Sequence, residues 1–178
     1  LVFNFPVKIM PGTNFFIKDG KHIIFKDRLV ANGTPQKPIT LKKYDITSKP
    51  WGTFALIGTG SQNSELSNLI INGGSGGKYK QFFFTSMLSL HNTKNIKLEN
   101  IELSNNNIFD DMIHLIYCKN ITLNNLKLNY ALNDAIDVDI SNNIIIKNSK
   151  FIEPNNDAID FMESTALVEF SSIIGSKD

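Results

Sequence analysis

The sequence predicts an all-β solenoid, a stack of coils of about 23 residues, and two observations predict it. The first is a repeated segment, residues 96–103, whose copies begin at Ile96, Ile121, Ile144 and Leu167, which are 25, 23 and 23 residues apart. The second is the alternation of apolar and polar residues inside each copy, which has the period of a strand. A fixed period of this length is typical of stacked units that bury their apolar faces against one another.

Composition narrows the class of partner. The 178 residues carry a formal net charge of +1, and Arg28 is the sole arginine. Nucleic-acid surfaces usually carry a strong positive field and several arginines, so we expect no nucleic-acid partner. The single cysteine, Cys118, excludes an internal disulfide and a multi-cysteine zinc site. There is no run of 18 apolar residues, so we expect no membrane span, and we expect a monomer.

The chain is expected to form one domain, residues 1–178, with three stretches. Residues 1–60 hold short alternating runs punctuated by Gly and Pro, as expected of N-terminal coils. Residues 61–86 are rich in Ser, Gly and Asn and are expected to contain a loop that leaves the stack. Residues 87–178 carry the regular coils. Because the chain lacks an initial Met and stops partway through a repeat, we expect a fragment truncated at its C-terminal end.

Each regular coil contributes a second predicted strand, residues 87–90 and their copies at 112–115, 135–138 and 158–161. Side chains alternate along a strand, so the apolar members should point inward and the residue between them outward. Asparagines recur once per turn and predict ladders of side-chain hydrogen bonds along the stack. The two sets are Asn95, Asn120 and Asn143, and Asn100, Asn125 and Asn148. The run Phe82–Phe84 is expected to pack over a loop, with stacking on a sugar as the alternative.

These features resemble the right-handed, single-stranded parallel β-helix of pectate lyases, polygalacturonases and many bacterial surface proteins. The Asn columns and the segment Asn133-Asp134-Ala135-Ile136-Asp137 are typical of that fold. The runs around Pro11-Gly12 and Trp51-Gly52 resemble the opening coils of secreted bacterial members. The resemblance implies an extracellular or cell-surface location and a polysaccharide partner, although this fold carries many functions.

Acidic residues recur at two positions of the regular coils. Asp111, Asp134 and Asp157 precede the second strand, and His114, Asp137 and Asp160 occupy its outward position. Neighbouring coils of a parallel stack lie about 4.8 Å apart, so we expect two columns of close side chains, with Asp139 nearby. Like charges this close require raised pKa values or a cation.

Three interpretations of these columns stay open. Glycosidases use carboxyl pairs about 5 to 9.5 Å apart, which suits acid/base cleavage of a glycan. Oxygen ligands from adjacent coils also suit Ca²⁺, although the pattern requires no cofactor. An Asp before a strand commonly caps a turn, which would make the chain a non-catalytic scaffold or adhesin-like stalk. The first interpretation assigns catalysis to Asp134, Asp157, Asp137, Asp160 and His114, and substrate binding to Asp111, Asp139 and Lys147.

The polygalacturonase motifs are matched in part. That family carries Asn-Thr-Asp on one coil and Asp-Asp on the next, where this chain has Leu132-Asn133-Asp134 and Asn156-Asp157. The later Gly-His-Gly and Arg-Ile-Lys motifs would fall near or beyond Asp178. Pectate lyases use Ca²⁺ and often an Arg, and no Arg accompanies these columns. If the chain is an enzyme, we expect a polysaccharide hydrolase or lyase, and a neutral glycan fits the acidic columns more easily than a polyuronate.

Overall fold

The structure is a computed structural model that describes residues 1–177. Within that range the regular elements are strands and one short 3-10 turn, Thr59–Ser61, with no α-helix. The strands are β1 (Val2–Phe3), β2 (Val7–Ile9), β3 (Asn14–Ile17), β4 (Ile23–Phe25), β5 (Leu29–Asn32), β6 (Ile39–Lys43), β7 (Phe54–Ile57), β8 (Glu65–Asn72), β9 (Gly77–Tyr79), β10 (Phe82–Phe84), β11 (Ser86–His91), β12 (Lys94–Ser104), β13 (Asp111–Ile116), β14 (Lys119–Asn129), β15 (Ile136–Asp139), β16 (Asn142–Lys147), β17 (Lys150–Ile152), β18 (Ile159–Met162), β19 (Ala166–Glu169) and β20 (Ser172–Ile174).

Two parallel sheets run along the stack, which confirms an all-β fold of parallel coils. Sheet A has the order β1-β4-β7-β11-β13-β15-β18, and the 11-stranded sheet B contains the path β2-β5-β8-β12-β14-β16-β19. Neighbouring strands pair residues one coil apart, such as His114 with Asp137 in sheet A and Ile121 with Ile144 in sheet B. The chain therefore advances by one strand spacing with each coil.

The core fills the space inside the coils. The inward columns of sheet A are in the predicted register, and Leu88, Ile113 and Ile136 are fully buried. Ile121 and Ile144 belong to the matching column of sheet B and are also fully buried. A side chain of this size is stabilised by roughly 1.5–3 kcal/mol when it is removed from water, so these columns drive the stacking.

The first asparagine ladder is confirmed and is longer than predicted. Asn143 donates to Asn120 at 2.9 Å, Asn120 to Asn95 at 2.9 Å, and Asn95 to Asn63 at 3.0 Å. Each of the four has a positive φ between 55° and 59°, a left-handed conformation that asparagine tolerates better than most residues.

The second asparagine ladder follows the prediction only at its start. Asn125 donates to Asn100, whereas Asn148 donates to Asn124 and not to Asn125.

One sequence expectation is wrong in detail. The fourth copy of the repeat begins at Ala166, which pairs with Ile144, while Leu167 pairs with Ile145. The reason is a shorter turn: Ala166 follows Asp160 by six positions, whereas Ile144 follows Asp137 by seven. The stretch 61–86 contains β8, which pairs with β12, and then β9 and β10, which lie outside both parallel sheets.

A hairpin of β9 and β10 covers part of the outer face of sheet A. The two strands are antiparallel and pair Phe82 with Tyr79. Phe84, from the same hairpin, packs with Ile24, Ala55 and Ile57 in a second, smaller apolar cluster. This hairpin decides which outward side chains of sheet A reach solvent. Among the described residues, no helix has the length and apolarity needed to cross a membrane.

Candidate functional site

One outward-facing column of sheet A changes its chemistry along the stack. The register aligns Ile24, Ala55, Ser89, His114, Asp137 and Asp160. The first three are fully buried, His114 is 7% exposed, Asp137 is half-buried and Asp160 is exposed. The column is therefore apolar beneath the hairpin and becomes acidic where that cover ends.

His114 lies at this boundary and is a buried residue, not the surface histidine that an outward position commonly gives. Its Nε2 atom lies 3.2 Å from Asp139 Oδ2 and 3.6 Å from Asp137 Oδ2. Its Nδ1 atom lies 3.1 Å from the hydroxyl of Thr85. Burial lowers the pKa of His114, and the hydrogen bond to Asp139 opposes that shift.

Asp111 is the most buried acid of the two predicted columns, with 1% of its surface exposed. Its Oδ2 atom accepts a hydrogen bond from Thr85 at 2.9 Å, and its Oδ1 atom is buried without a hydrogen-bond partner among the described residues. Burial raises the pKa of Asp111 to about 8, and the charges of Asp137, Asp110 and Asp134 add to the rise while the Thr85 bond opposes it.

Asp137 shares this environment but keeps access to solvent. Burial raises the pKa of Asp137 to about 7, with further contributions from Asp139 and Asp160. Nearest ligand atoms of Asp111, His114 and Asp137 all lie within 4.8 Å of one another. The structure thus brings together the predicted residues Asp111, His114, Asp137 and Asp139 in one cluster.

Asp134 accepts hydrogen bonds from the coil that follows it. Its Oδ1 atom accepts from the backbone N–H of Asp157 at 2.9 Å and from the Asn156 side chain at 2.8 Å. The backbone donor is the kind that the cap interpretation expects, whereas the hydrogen bond of Asp111 goes to a hydroxyl and not to a backbone N–H. Carboxylates held by backbone donors are poor candidates for proton transfer, because their oxygens are already engaged.

The other predicted residues divide between two places. Asp160 continues the acidic column one coil beyond Asp137, and half-buried Asp157 lies beside Asp134. Lys147 lies apart from these residues, in β16 of sheet B, where it pairs with Asn124 and Glu169, and its part in substrate binding stays a prediction.

An open cavity of about 430 Å³ adjoins the cluster, and sequence reasoning did not find it. It is lined by Phe83, Thr85, Ile108, Phe109, Asp110, Leu132 and Asn133. Phe83 is 56% exposed and meets Phe109 edge-on, with 5.4 Å between ring centroids. In the run Phe82–Phe84, Phe82 and Phe84 pack on sheet A while Phe83 faces solvent, so the alternative of stacking on a sugar stays a prediction for Phe83.

Thr85 connects the cavity to the buried cluster, since it lines the first and hydrogen-bonds to both Asp111 and His114. A second cavity of about 510 Å³ shares Leu132 with the first and is lined further along by Tyr130, Glu153, Asn155 and Lys177. Neither Thr85 nor Phe109 belongs to the repeat, so periodicity gave no signal for them.

Comparison with known proteins gives little. No family model and no curated protein matches the chain. One solved structure, described as a mannuronic acid specific polysaccharide family 6 lyase from human gut microbiota, is similar with a TM-score of 0.41 and 10% sequence identity. The alignment covers 98% of this chain and 59% of that one, so this chain spans less than two thirds of the length of the lyase.

Proposed function

We propose that this protein binds a polysaccharide across the outer face of sheet A, beside the hairpin of β9 and β10. The observation that carries the proposal is the pair of exposed Phe83 and half-buried Phe109 beside Thr85, Asp110 and Asn133 in one open cavity. Aromatic rings offer an apolar surface to the C–H face of a sugar, and carboxylates, hydroxyls and amides hydrogen-bond to its hydroxyl groups.

The size and charge of the cavities support the same ligand class. Each volume falls within the roughly 300–1,000 Å³ of ordinary ligand sites, and Leu132 lines both cavities, so they are adjacent. Two adjacent cavities suit a chain of sugars better than a single one. Asp110 and the nearby acids favour a neutral glycan, because a polyuronate would meet like charge.

The proposal also includes the handedness of the coils and the location of the protein. A parallel connection in one sheet is right-handed in about 98% of known cases, which supports a right-handed, single-stranded β-helix. A secreted or cell-surface location is the setting in which polysaccharide would be met. Fractionation of the source cells, followed by detection with an antibody, tests the location.

Binding is tested by calorimetry against a panel of neutral and acidic polysaccharides, with EDTA present. We expect Phe83→Ala to weaken binding about tenfold or more, equivalent to ~1.4 kcal/mol. Phe16→Ala is the matched control, because Phe16 is a comparably exposed phenylalanine, 58%, on β3 of sheet B. Equal affinity of Phe83→Ala and the parent protein would refute the proposed face.

Cleavage is a second candidate function, favoured by the pairing of Asp137 with Asp160 on adjacent strands. A strand spacing of about 4.8 Å is close to the separation of about 5–5.5 Å found in retaining glycosidases. Release of new reducing ends, lost in an Asp137→Asn/Asp160→Asn double variant, would establish it. Binding without new reducing ends from any polysaccharide would reject cleavage and favour the non-catalytic alternative.

A further inference from the structure

The buried cluster at the edge of the hairpin has a hydrogen-bonding pattern that suits a cation. The hydroxyl of Thr85 has one hydrogen and donates it to Asp111 Oδ2 at 2.9 Å. The same hydroxyl oxygen lies 3.1 Å from His114 Nδ1, and it accepts the Nδ1–H in the tautomer that carries its proton there. The lone pair of His114 Nε2 then faces the carboxyls of Asp137 and Asp139.

A lone pair that faces two carboxyls is unfavourable unless a positive charge lies between them. The side chain of His114 is only 9% exposed, so its Nε2 atom meets the two carboxyls and little solvent. The ring of His91 packs edge-on against it, with 5.3 Å between centroids, and supplies no countercharge.

The distances fit a transition-metal ion. Zn²⁺ binds nitrogen and oxygen ligands at about 2.0–2.1 Å, so two ligands of a tetrahedral site lie about 3.3 Å apart. His114 Nε2 lies 3.2 Å from Asp139 Oδ2 and 3.6 Å from Asp137 Oδ2. Ca²⁺ prefers six to eight oxygen ligands at 2.3–2.6 Å, which this compact set with a ring nitrogen does not offer.

Asp111 supplies an independent observation. The residue is 1% exposed, and its Oδ1 atom is buried without a partner among residues 1–177. Its ligand atom lies within 4.8 Å of those of His114 and Asp137. A buried oxygen that the protein leaves unpaired beside a histidine and a second carboxyl is what an incomplete coordination sphere leaves behind.

We propose that His114 Nε2, Asp137 and Asp111 bind one divalent transition-metal ion of the Zn²⁺ type, with Asp139 as a further oxygen ligand. Thr85 orients the site, because it accepts from the far nitrogen of the histidine and donates to the far oxygen of Asp111. Asp137 and Asp139, whose side chains are 20% and 17% exposed, give the ion its path from solvent.

The test uses protein stripped with EDTA and then dialysed free of it. We expect one equivalent of Zn²⁺ by calorimetry, and Co²⁺ should give the visible absorption of a four-coordinate site. Asp137→Asn should weaken Zn²⁺ binding at least tenfold, and Asp19→Asn, an exposed acid on the turn after β3, should leave it unchanged. His114→Gln should abolish the Co²⁺ spectrum.

Three results would overturn the site. They are no Zn²⁺ binding by folded protein, Ca²⁺ binding as tight as Zn²⁺ binding, and unchanged Zn²⁺ affinity in Asp137→Asn. Asp137 is partly exposed, so this variant remains informative if His114→Gln fails to fold. Because glycan binding is measured in EDTA, the metal site and the polysaccharide face can each fail without the other.

Discussion

Replacement of Asp134 tests whether its carboxylate stabilises the fold or takes part in function. Asp134→Ala removes the acceptor for the Asp157 backbone N–H and for the Asn156 side chain. A net hydrogen bond contributes about 0.5–1.5 kcal/mol, so the loss of both bonds is expected to cost about 2 kcal/mol. In a chain of this length, about 2 kcal/mol corresponds to a fall of about 4–8 °C in Tm.

Asp134→Asn is the matched variant, because the amide oxygen can still accept both hydrogen bonds. It also removes a negative charge that contributes to the raised pKa values of Asp111 and Asp137. We therefore expect Asp134→Asn to unfold at the temperature of the parent protein or slightly above it. Thermal unfolding followed by circular dichroism compares the three proteins, with polysaccharide affinity measured alongside.

The reasoning fails if Asp134→Ala is as stable as the parent protein, since the two hydrogen bonds would then contribute nothing. It also fails if Asp134→Asn is destabilised as much as Asp134→Ala, because the charge and not the acceptor would then matter. Unchanged polysaccharide affinity in both variants is the expected companion result, because Asp134 faces the turn and not the cavity of Phe83 and Phe109.

Two further predictions concern the stack itself. Ile121→Ala, at a fully buried position of the inward column, should lower the free energy of unfolding by about 2–5 kcal/mol. Thr122→Ala, on the outward side of the same strand, should lower it by about 0.5 kcal/mol or less. Both values are measured by urea unfolding, and equal losses would show that the register of the strand is wrong. Gly74→Ala should prevent stable folding or lower Tm strongly, because a Cβ there would lie 2.7 Å from Cζ2 of buried Trp51. A Tm within ~2 °C of the parent protein, which corresponds to a loss of at most about 0.5–1 kcal/mol, would show that the ring has room to move.

The stack was predictable because its signal is repeated. Inward Ile and Leu columns, outward polar positions and the asparagine ladder all follow from a period of about 23 residues and the alternation of side chains. The prediction from the repeat was wrong where the chain stops being periodic. The turn before Ala166 is one residue shorter than its counterpart, and a fixed count therefore placed Leu167 in the wrong column.

The candidate site was predictable only in the part that repeats. His114 and Asp137 are 23 residues apart, and Asp111 precedes His114 by three positions in the same coil, so their proximity was visible in the sequence. Their burial was not visible, because it is imposed by a hairpin outside the repeat. Thr85 follows that hairpin directly and reaches the cluster through tertiary packing, for which neither a motif nor a spacing exists.

A comparison of Asp111 with the equivalent residue of the preceding coil shows that folding alone does not require an acid at this position. In the preceding coil the equivalent residue is Ser86, which pairs in register with Asp111. The Ser86 hydroxyl donates to the backbone oxygen of Leu88 and lies 2.8 Å from Ser89, so a small hydroxyl satisfies this buried position completely. Asp111 instead leaves one oxygen unpaired and places its carboxyl against those of Asp137 and Asp134.

An unsatisfied buried polar group costs roughly 1–3 kcal/mol, and serine at position 111 would avoid that cost. The stack therefore loses stability by having an acid there. A ligand that binds the lone pairs of Oδ1 restores that stability and offsets the repulsion between carboxyls at the same time. A bound dication does both, whereas a hydrogen-bonded sugar hydroxyl would satisfy the oxygen but leave the charges opposed. The burial of Asp111 thus supports the proposed ion at the edge of the hairpin, separate from the proposed glycan face at Phe83 and Phe109.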